Sequence, residues 1–304
     1  MLLSELCRTL SEPERKLGPG RPPAPIADQA FAAIYKVYTG FSGRRFATDL
    51  REAEERGFVS EAISHSGIAR FLEREETFAL LQGMIQQSAL PLASLESKFA
   101  VDSSGFSTCR FDRWYNIKHG RMQKEHAFVK AHIASGTLTH VITAAEIKHE
   151  DAFDSPLMPP LVKATAVGFK IVEMSGDAAY GSLENYAAIA AVGGTPYIAF
   201  KTVHSGAAGG LWGQMYHMFC LQKEEFLRHY HARSNVASTF SMVKRKHGDS
   251  VRSKTDTAMK NEVLAKFVCH NICCVIQAAY EFGIDAHFAT EEESDSKFIL
   301  KFPI

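Results

Sequence analysis

The sequence has no excess of either charge: 34 Lys and Arg balance 34 Asp and Glu across 304 residues. Bulk electrostatics therefore selects no partner. It has no uninterrupted apolar run near the ~18 residues that cross a bilayer. Its first residues, MLLSELCRTL, meet an acid at Glu5, where a secretory leader would be cationic and then apolar. Cysteine is sparse, with six residues at 7, 109, 220, 269, 273 and 274 and no second ligand pair at zinc-finger spacing. Cys269 and Cys273 lie one helical turn apart in AKFVCHNICCVIQAA, but that segment reads as an apolar helix. Buried free cysteine there behaves as a small hydrophobe. These absences lead us to expect a soluble, cytoplasmic protein with reduced thiols and no membrane partner.

What is present is enough for a large core. Apolar residues make up 46% of the chain and charged ones 22%, which excludes wholesale disorder and fits one large α/β unit or a core with a smaller appendage. Positive charge is local. Arg110, Arg113, Lys118, Arg121 and Lys124 stand against one acid, Asp112, and the run Lys244-Arg245-Lys246 precedes Arg252 and Lys254. Such clusters are solvated faces or phosphate-binding patches.

Residues 1–27 read as a proline-rich arm, with Gly20-Arg21-Pro22-Pro23 placed to send Arg21 into a narrow minor groove. Residues 28–92 read as a run of short helices, either a DNA-binding helix-turn-helix module or an ordinary helical cap. Asp28 is the expected cap of a first helix carrying Phe31, Ile34, Tyr35 and Tyr38, and a second covers about 44–56 and stops at Gly57. A third starts near Ser66 with Ile68, Phe71 and Leu72 inward, and a fourth covers about 77–88. After Pro91 the texture turns to strands at 99–102, 127–133 and 139–147, an antiparallel meander. Helices at 155–165 and 182–192 then alternate with strands at 170–174 and 195–200. A flexible loop is expected at 201–222, long helices at 222–246 and 257–282, and a loose acidic tail at 285–304. That order specifies an α/β chain with a mixed sheet.

Two carboxylates acquire meaning on this scaffold. Asp102 ends a short apolar strand before Ser103-Ser104-Gly105, and Asp177 follows the strand at 170–174 in Ser175-Gly176-Asp177. Carboxylates at strand ends are commonly turn formers. Two of them converging from one sheet can instead hold a hard cation such as Mg²⁺. A third acid would have to come from elsewhere.

The segment Tyr230-His-Ala-Arg233-Ser-Asn-Val-Ala237-Ser-Thr-Phe-Ser-Met-Val-Lys244 resembles the carboxy-terminal signature of the DDE transposases of insertion sequences: Tyr, two residues, Arg, three residues, Glu, six residues, Lys. The segments Val101-Asp-Ser-Ser-Gly-Phe106, Lys130-Ala-His132, and Asp177 with Tyr180, Ser182 and Asn185 are similar to that group as well, and the likeness runs from about Gly20 to Ile284. It implies an RNase H-like mixed sheet flanked by helices, spanning about 93–284. It also implies metal-dependent cleavage and strand transfer with two Mg²⁺ or Mn²⁺ ions. Asp102 and Asp177 would be metal ligands, and Tyr230, Arg233, Lys244, Arg245 and Lys246 would meet DNA. The partners implied are element ends and target DNA, held by a homodimer. His132 is either a site residue or a satisfied core histidine, and Trp114 and Tyr115 either stack on bases or pack.

One departure from the signature stands out. The family glutamate falls at position 237, where this chain has Ala237. Alanine is the best helix former, so the fold should tolerate it. The expectation is a transposase inactivated at that position, with a domesticated DNA-binding protein or a nuclease of the same fold as alternatives. Glu225 and Glu262 do not sit at the signature position.

Overall fold

Side-chain caps start several elements. In the computed structural model, which describes residues 1–13, 22–108, 118 and 128–288, Ser64 accepts from the amide of Gly67 and opens a helix. Ser182 accepts from Asn185 and Thr255 from Ala258 in the same way. Each such cap stabilises its helix by ~1 kcal/mol. The amino-terminal helices are α1 (Leu2–Arg8), α2 (Ile26–Thr39), α3 (Gly43–Glu55), α4 (His65–Glu73) and α5 (Glu76–Ala89). Helix α3 stops at Gly57, whose φ is +73°. Phe58 donates back to Ala53 and Gly57 to Glu54, a Schellman ending that requires the left-handed residue expected from the sequence.

Asp28 is not the cap of α2. It lies inside the helix, buried, and accepts from the amide of Ser60 at 3.0 Å and from the Ser60 hydroxyl. A tertiary partner captures the carboxylate that local sequence assigned to the helix start.

Five strands follow: β1 (Lys98–Ser107), β2 (Phe128–Gly136), β3 (Ile142–His149), β4 (Glu173–Gly176) and β5 (Thr195–Ile198). Their order is β3-β2-β1-β4-β5, with β1–β3 antiparallel and β1, β4 and β5 parallel. This is an RNase H-like mixed sheet. Strand β1 is longer than its apolar stretch suggests and runs five residues past Asp102, because Ser103–Ser107 pair with β2 and Ser107 bonds to the backbone of Asp249 and Val251. Gly105 permits this extension, since a Cβ there would meet the Phe128 ring at 2.7 Å.

Helices α6 (Met158–Gly168) and α7 (Leu183–Ala191) cover one sheet face. The expected loop at 201–222 contains helix α8 (Gly210–Leu221). Its glycine-rich start hides it in the sequence. Its order comes from Trp212, whose indole donates to the Ser205 carbonyl at 2.7 Å and whose ring meets Phe200 and Tyr186. The long helix expected at 222–246 is two, α9 (Lys223–Tyr230) and α10 (Ser234–His247), joined by a tight 3₁₀ turn at His231–Arg233. Helix α11 (Asp256–Phe282) closes the described chain.

Strand alternation divides the core. Phe99 and Val101 enter a cluster with α6 and α7, whereas Ala100 and Phe106 enter one with α10, α11 and the amino-terminal helices. Ile34, Phe71, Leu81 and Ile85 from residues 28–92 share this second cluster with Leu264, Phe267 and Val268 of α11. Each fully buried Leu, Ile or Phe contributes ~1.5–3 kcal/mol, so the two segments stabilise one another. Asn271 fixes the crossing, accepting from the amide of Ile142 at 2.8 Å, with its amide nitrogen facing the carbonyls of Ile142 and Ile85. By length and composition α11 could cross a membrane, but most of its apolar window is buried in the protein. Cys269 is part of that interior, its thiol against the carbonyl of Ile34 and burial holding its pKa far above the ordinary thiol value.

Candidate active site

Parallel pairing of β1 with β4 sets Val101 opposite Gly176. The next residues are Asp102, still paired with Ile133 inside β1, and Asp177, the first residue past β4, on neighbouring strands ~4.8 Å apart. Val101 and Met174 point into the core under α6 and α7, so alternation turns both aspartates toward the α10 side. Asp102 accepts from the amide of Ser103 at 2.8 Å, and its second oxygen lies 3.7 Å from the Arg233 guanidinium. Burial raises its pKa, and the like charges of Asp177 and Asp154 raise it further against those two partners. Asp177 accepts from Ala179 at 2.8 Å and thereby caps the short 3₁₀ turn Ala178–Tyr180.

An open cavity of about 690 Å³ adjoins this pair, lined by Asp102, Ser104, Ala237, Lys244, Arg245 and Asp249 among others. Asp177 does not line it. Helix α10 supplies Ala237 and Lys244 from one face, two turns apart. Lys244 donates to Ser104 at 2.7 Å and lies 5.2 Å from the Phe106 ring centre. Burial lowers its pKa, and Asp249 partly offsets the effect. Arg233 comes from the 3₁₀ turn rather than from a continuous helix, with its guanidinium 5.7 Å from the ring centre of Tyr230, which itself packs on Phe226. Arg245 is exposed at the cavity rim. Lys246 points elsewhere and donates to Cys273 at 3.0 Å. Arg21, Trp114 and Tyr115 lie outside the described residues.

Neither alternative glutamate reaches the cavity. Glu262 accepts from the amides of Arg252 and Ser253, and Glu225 pairs with Arg228 and His229.

Below Asp102, on the opposite sheet face, lies a polar group whose hub sequence reading missed. Asp154 lies 2.7 Å from Lys130 and 3.4 Å from His132, and it accepts from the Ser103 hydroxyl at 3.0 Å. His132 is fully buried and also faces the Tyr180 hydroxyl at 3.3 Å. Burial pushes its pKa down to about 4, so it is neutral at pH 7. Only the pairing Ser103↔His132 between β1 and β2 brings this group together. The sole signal in the sequence was Lys130-Ala-His132, whose side chains share one strand face.

Oxygen donors such as Asp102 and Asp177 suit a hard divalent cation, but the donor set is short on the α10 side, where Ala237 presents a methyl group. Among the described residues no group of three or more His, Cys, Asp or Glu side chains could hold a metal ion.

Residues 93–272 match a family described as the transposase DDE domain. The chain belongs to this transposase family. No curated protein matches it. Membership makes DNA the partner and DNA cleavage the family's chemistry, generally with divalent metal ions. The matched span begins just before β1 and ends inside α11, so it holds every residue of the cavity and the two neighbouring aspartates. In the transposase, Arg233 faces Asp102, and Lys244 lines the same open cavity as that aspartate.

Proposed function

We propose that this transposase binds the inverted terminal repeats of an insertion sequence, and that Ala237 disables cleavage while leaving DNA binding in place. The observation carrying this reading is that Asp102, Lys244 and Ala237 share one cavity beside Asp177, with the signature intact around a missing carboxylate.

In the active form, Asp102, Asp177 and a glutamate at 237 would hold divalent cations, which supply activation of the attacking oxygen and stabilisation of the leaving oxygen. The protein's own groups do the rest. Arg233 and Lys244 meet phosphate oxygens and fix the scissile strand, one as a planar fork and the other as a point charge. Water attacks a phosphodiester at the element end in line with the departing oxygen. The freed 3′-hydroxyl then attacks target DNA in a second displacement, with no covalent protein intermediate. The helices of residues 28–92 and the arm carrying Arg21 contribute base and groove readout, Arg245 adds a phosphate contact, and two chains hold two ends together.

The test uses the gene's flanking inverted repeats as substrate with Mg²⁺ or Mn²⁺. The Ala237 chain should shift this DNA without cutting it, and Ala237→Glu should cut it and join it to a plasmid target. An inert Ala237→Glu chain on correct ends overturns the assignment of the site. Cutting without joining identifies a nuclease. A natural protein that only occupies DNA is the second reading, favoured by Ala237 itself, and it predicts salt-dependent binding with no gain from the reversion.

A further inference from the structure

The two aspartates sit on separate chain segments, β1, which stays paired with β2 through Ser107, and the turn after β4. Something must hold the segments at a fixed separation, and the sheet alone does so only as far as Val101↔Gly176. Beyond that point the connection runs through residues 154 and 155. Asp154 accepts from the Ser103 hydroxyl at 3.0 Å, directly beside Asp102. Ser155 is bound through both its carbonyl and its hydroxyl, each 3.0 Å from the Asn185 amide nitrogen. That same nitrogen lies 2.7 Å from the carbonyl of Tyr180, the last residue of the turn that Asp177 caps. Tyr180 closes the loop from its other end, with its hydroxyl against His132 and His132 against Asp154.

We propose that Asp154 is a positioning residue of the transposase: it fixes the spacing of Asp102 and Asp177 from the far face of the sheet without touching substrate. The proposal rests on the reading of those two aspartates as cation ligands. The chemistry suits the role. Asp154 is a short side chain with few rotamers, and Lys130 compensates its charge at 2.7 Å while donating also to the carbonyl of Ala152. Asn185 is buried, as are His132 and Tyr180, so the struts on both sides of Asp154 are held by packing. Groups that orient ligands in this way set metal affinity even though they are not ligands.

The experiment uses the full chain carrying Ala237→Glu and reads Mn²⁺ binding by electron paramagnetic resonance, with no DNA present. Asp154→Asn keeps the volume and removes the charge that gathers Ser103, Lys130 and His132. It should weaken Mn²⁺ binding about tenfold, the low end of the effect of outer partners on metal affinity, and leave the melting temperature within a few degrees. Ser103→Ala removes only the hydroxyl link and should weaken binding in the same direction by a smaller factor, which keeps the test decisive if Asp154→Asn folds poorly. Asp102→Asn serves as the reference. If Asp102→Asn abolishes Mn²⁺ binding while Asp154→Asn and Ser103→Ala leave it unchanged, the positioning role is wrong and the site assignment survives. If all three leave it unchanged, the site assignment fails and the positioning role falls with it.

Discussion

Arg233 holds its guanidinium 3.7 Å from the carboxylate of Asp102, on the side of the sheet where position 237 carries only a methyl group. The cation faces the second carboxylate oxygen, while the first accepts from the amide of Ser103. A glutamate at 237 would add negative charge to the cavity that Asp102 lines.

Restoring that charge has a predicted size. Losing a single preorganised electrostatic contact to a transition state costs on the order of 10²–10³ in rate, so Ala237→Glu should raise end cleavage at least that far above the Ala237 background. A gel assay on terminal-repeat DNA reads it directly.

Lys244 and Arg233 should affect DNA differently from Ala237. Lys244→Ala removes one phosphate contact and should lower affinity uniformly across sequences, reducing the slope of log K against log salt by about one. An unchanged slope would place Lys244 off the DNA and leave it a structural partner of Ser104.

Stability on the acid side should reflect three histidines. Burial pushes the pKa values of His132, His247 and His270 down to about 4, below the ordinary value near 6.5. Between those limits the unfolded chain binds protons that the folded chain refuses. Stability from this source is therefore present above about pH 6.5 and falls as pH drops toward 4. His247 is the best place to test it, because both its ring nitrogens are buried without a hydrogen-bond partner. His247→Phe should raise the urea midpoint at neutral pH and flatten its acid dependence. A lower midpoint, or the same dependence, would contradict the assignment.

Asn271 should be among the costliest substitutions outside the site. Replacing it by alanine removes the partner of the buried amide of Ile142 and a donor to the carbonyl of Ile142, while the carbonyl of Ile85 keeps the Ser88 hydroxyl. The expected loss is about 2–3 kcal/mol, read by urea denaturation.

Much of this architecture was legible because its signals are local. Gly57 ends α3 through its own positive φ, and the inward set Ile68, Phe71 and Leu72 follows from helical spacing. The strand meander and the placement of Asp177 just past β4 came from alternation and turn residues. The misreadings share a different cause. Asp28 is taken by Ser60, helix α8 is held by the rings of Tyr186 in α7 and of Phe200 just past β5, and the 3₁₀ turn at 231–233 breaks a segment with good helical spacing. Asp154 belongs to the same class: its meaning comes from Ser103, 51 residues earlier, and no pattern near position 154 announces it.

Helix α11 is assembled against the opening of the chain: Asn261 donates to the carbonyl of Leu72 across 189 residues, and Cys269 meets Ile34 across 235. During synthesis the helices of residues 28–92 therefore keep an apolar flank uncovered until residues 256–282 have emerged. A chain cut before residue 256 would leave that flank of Ile34, Phe71, Leu81 and Ile85 facing water.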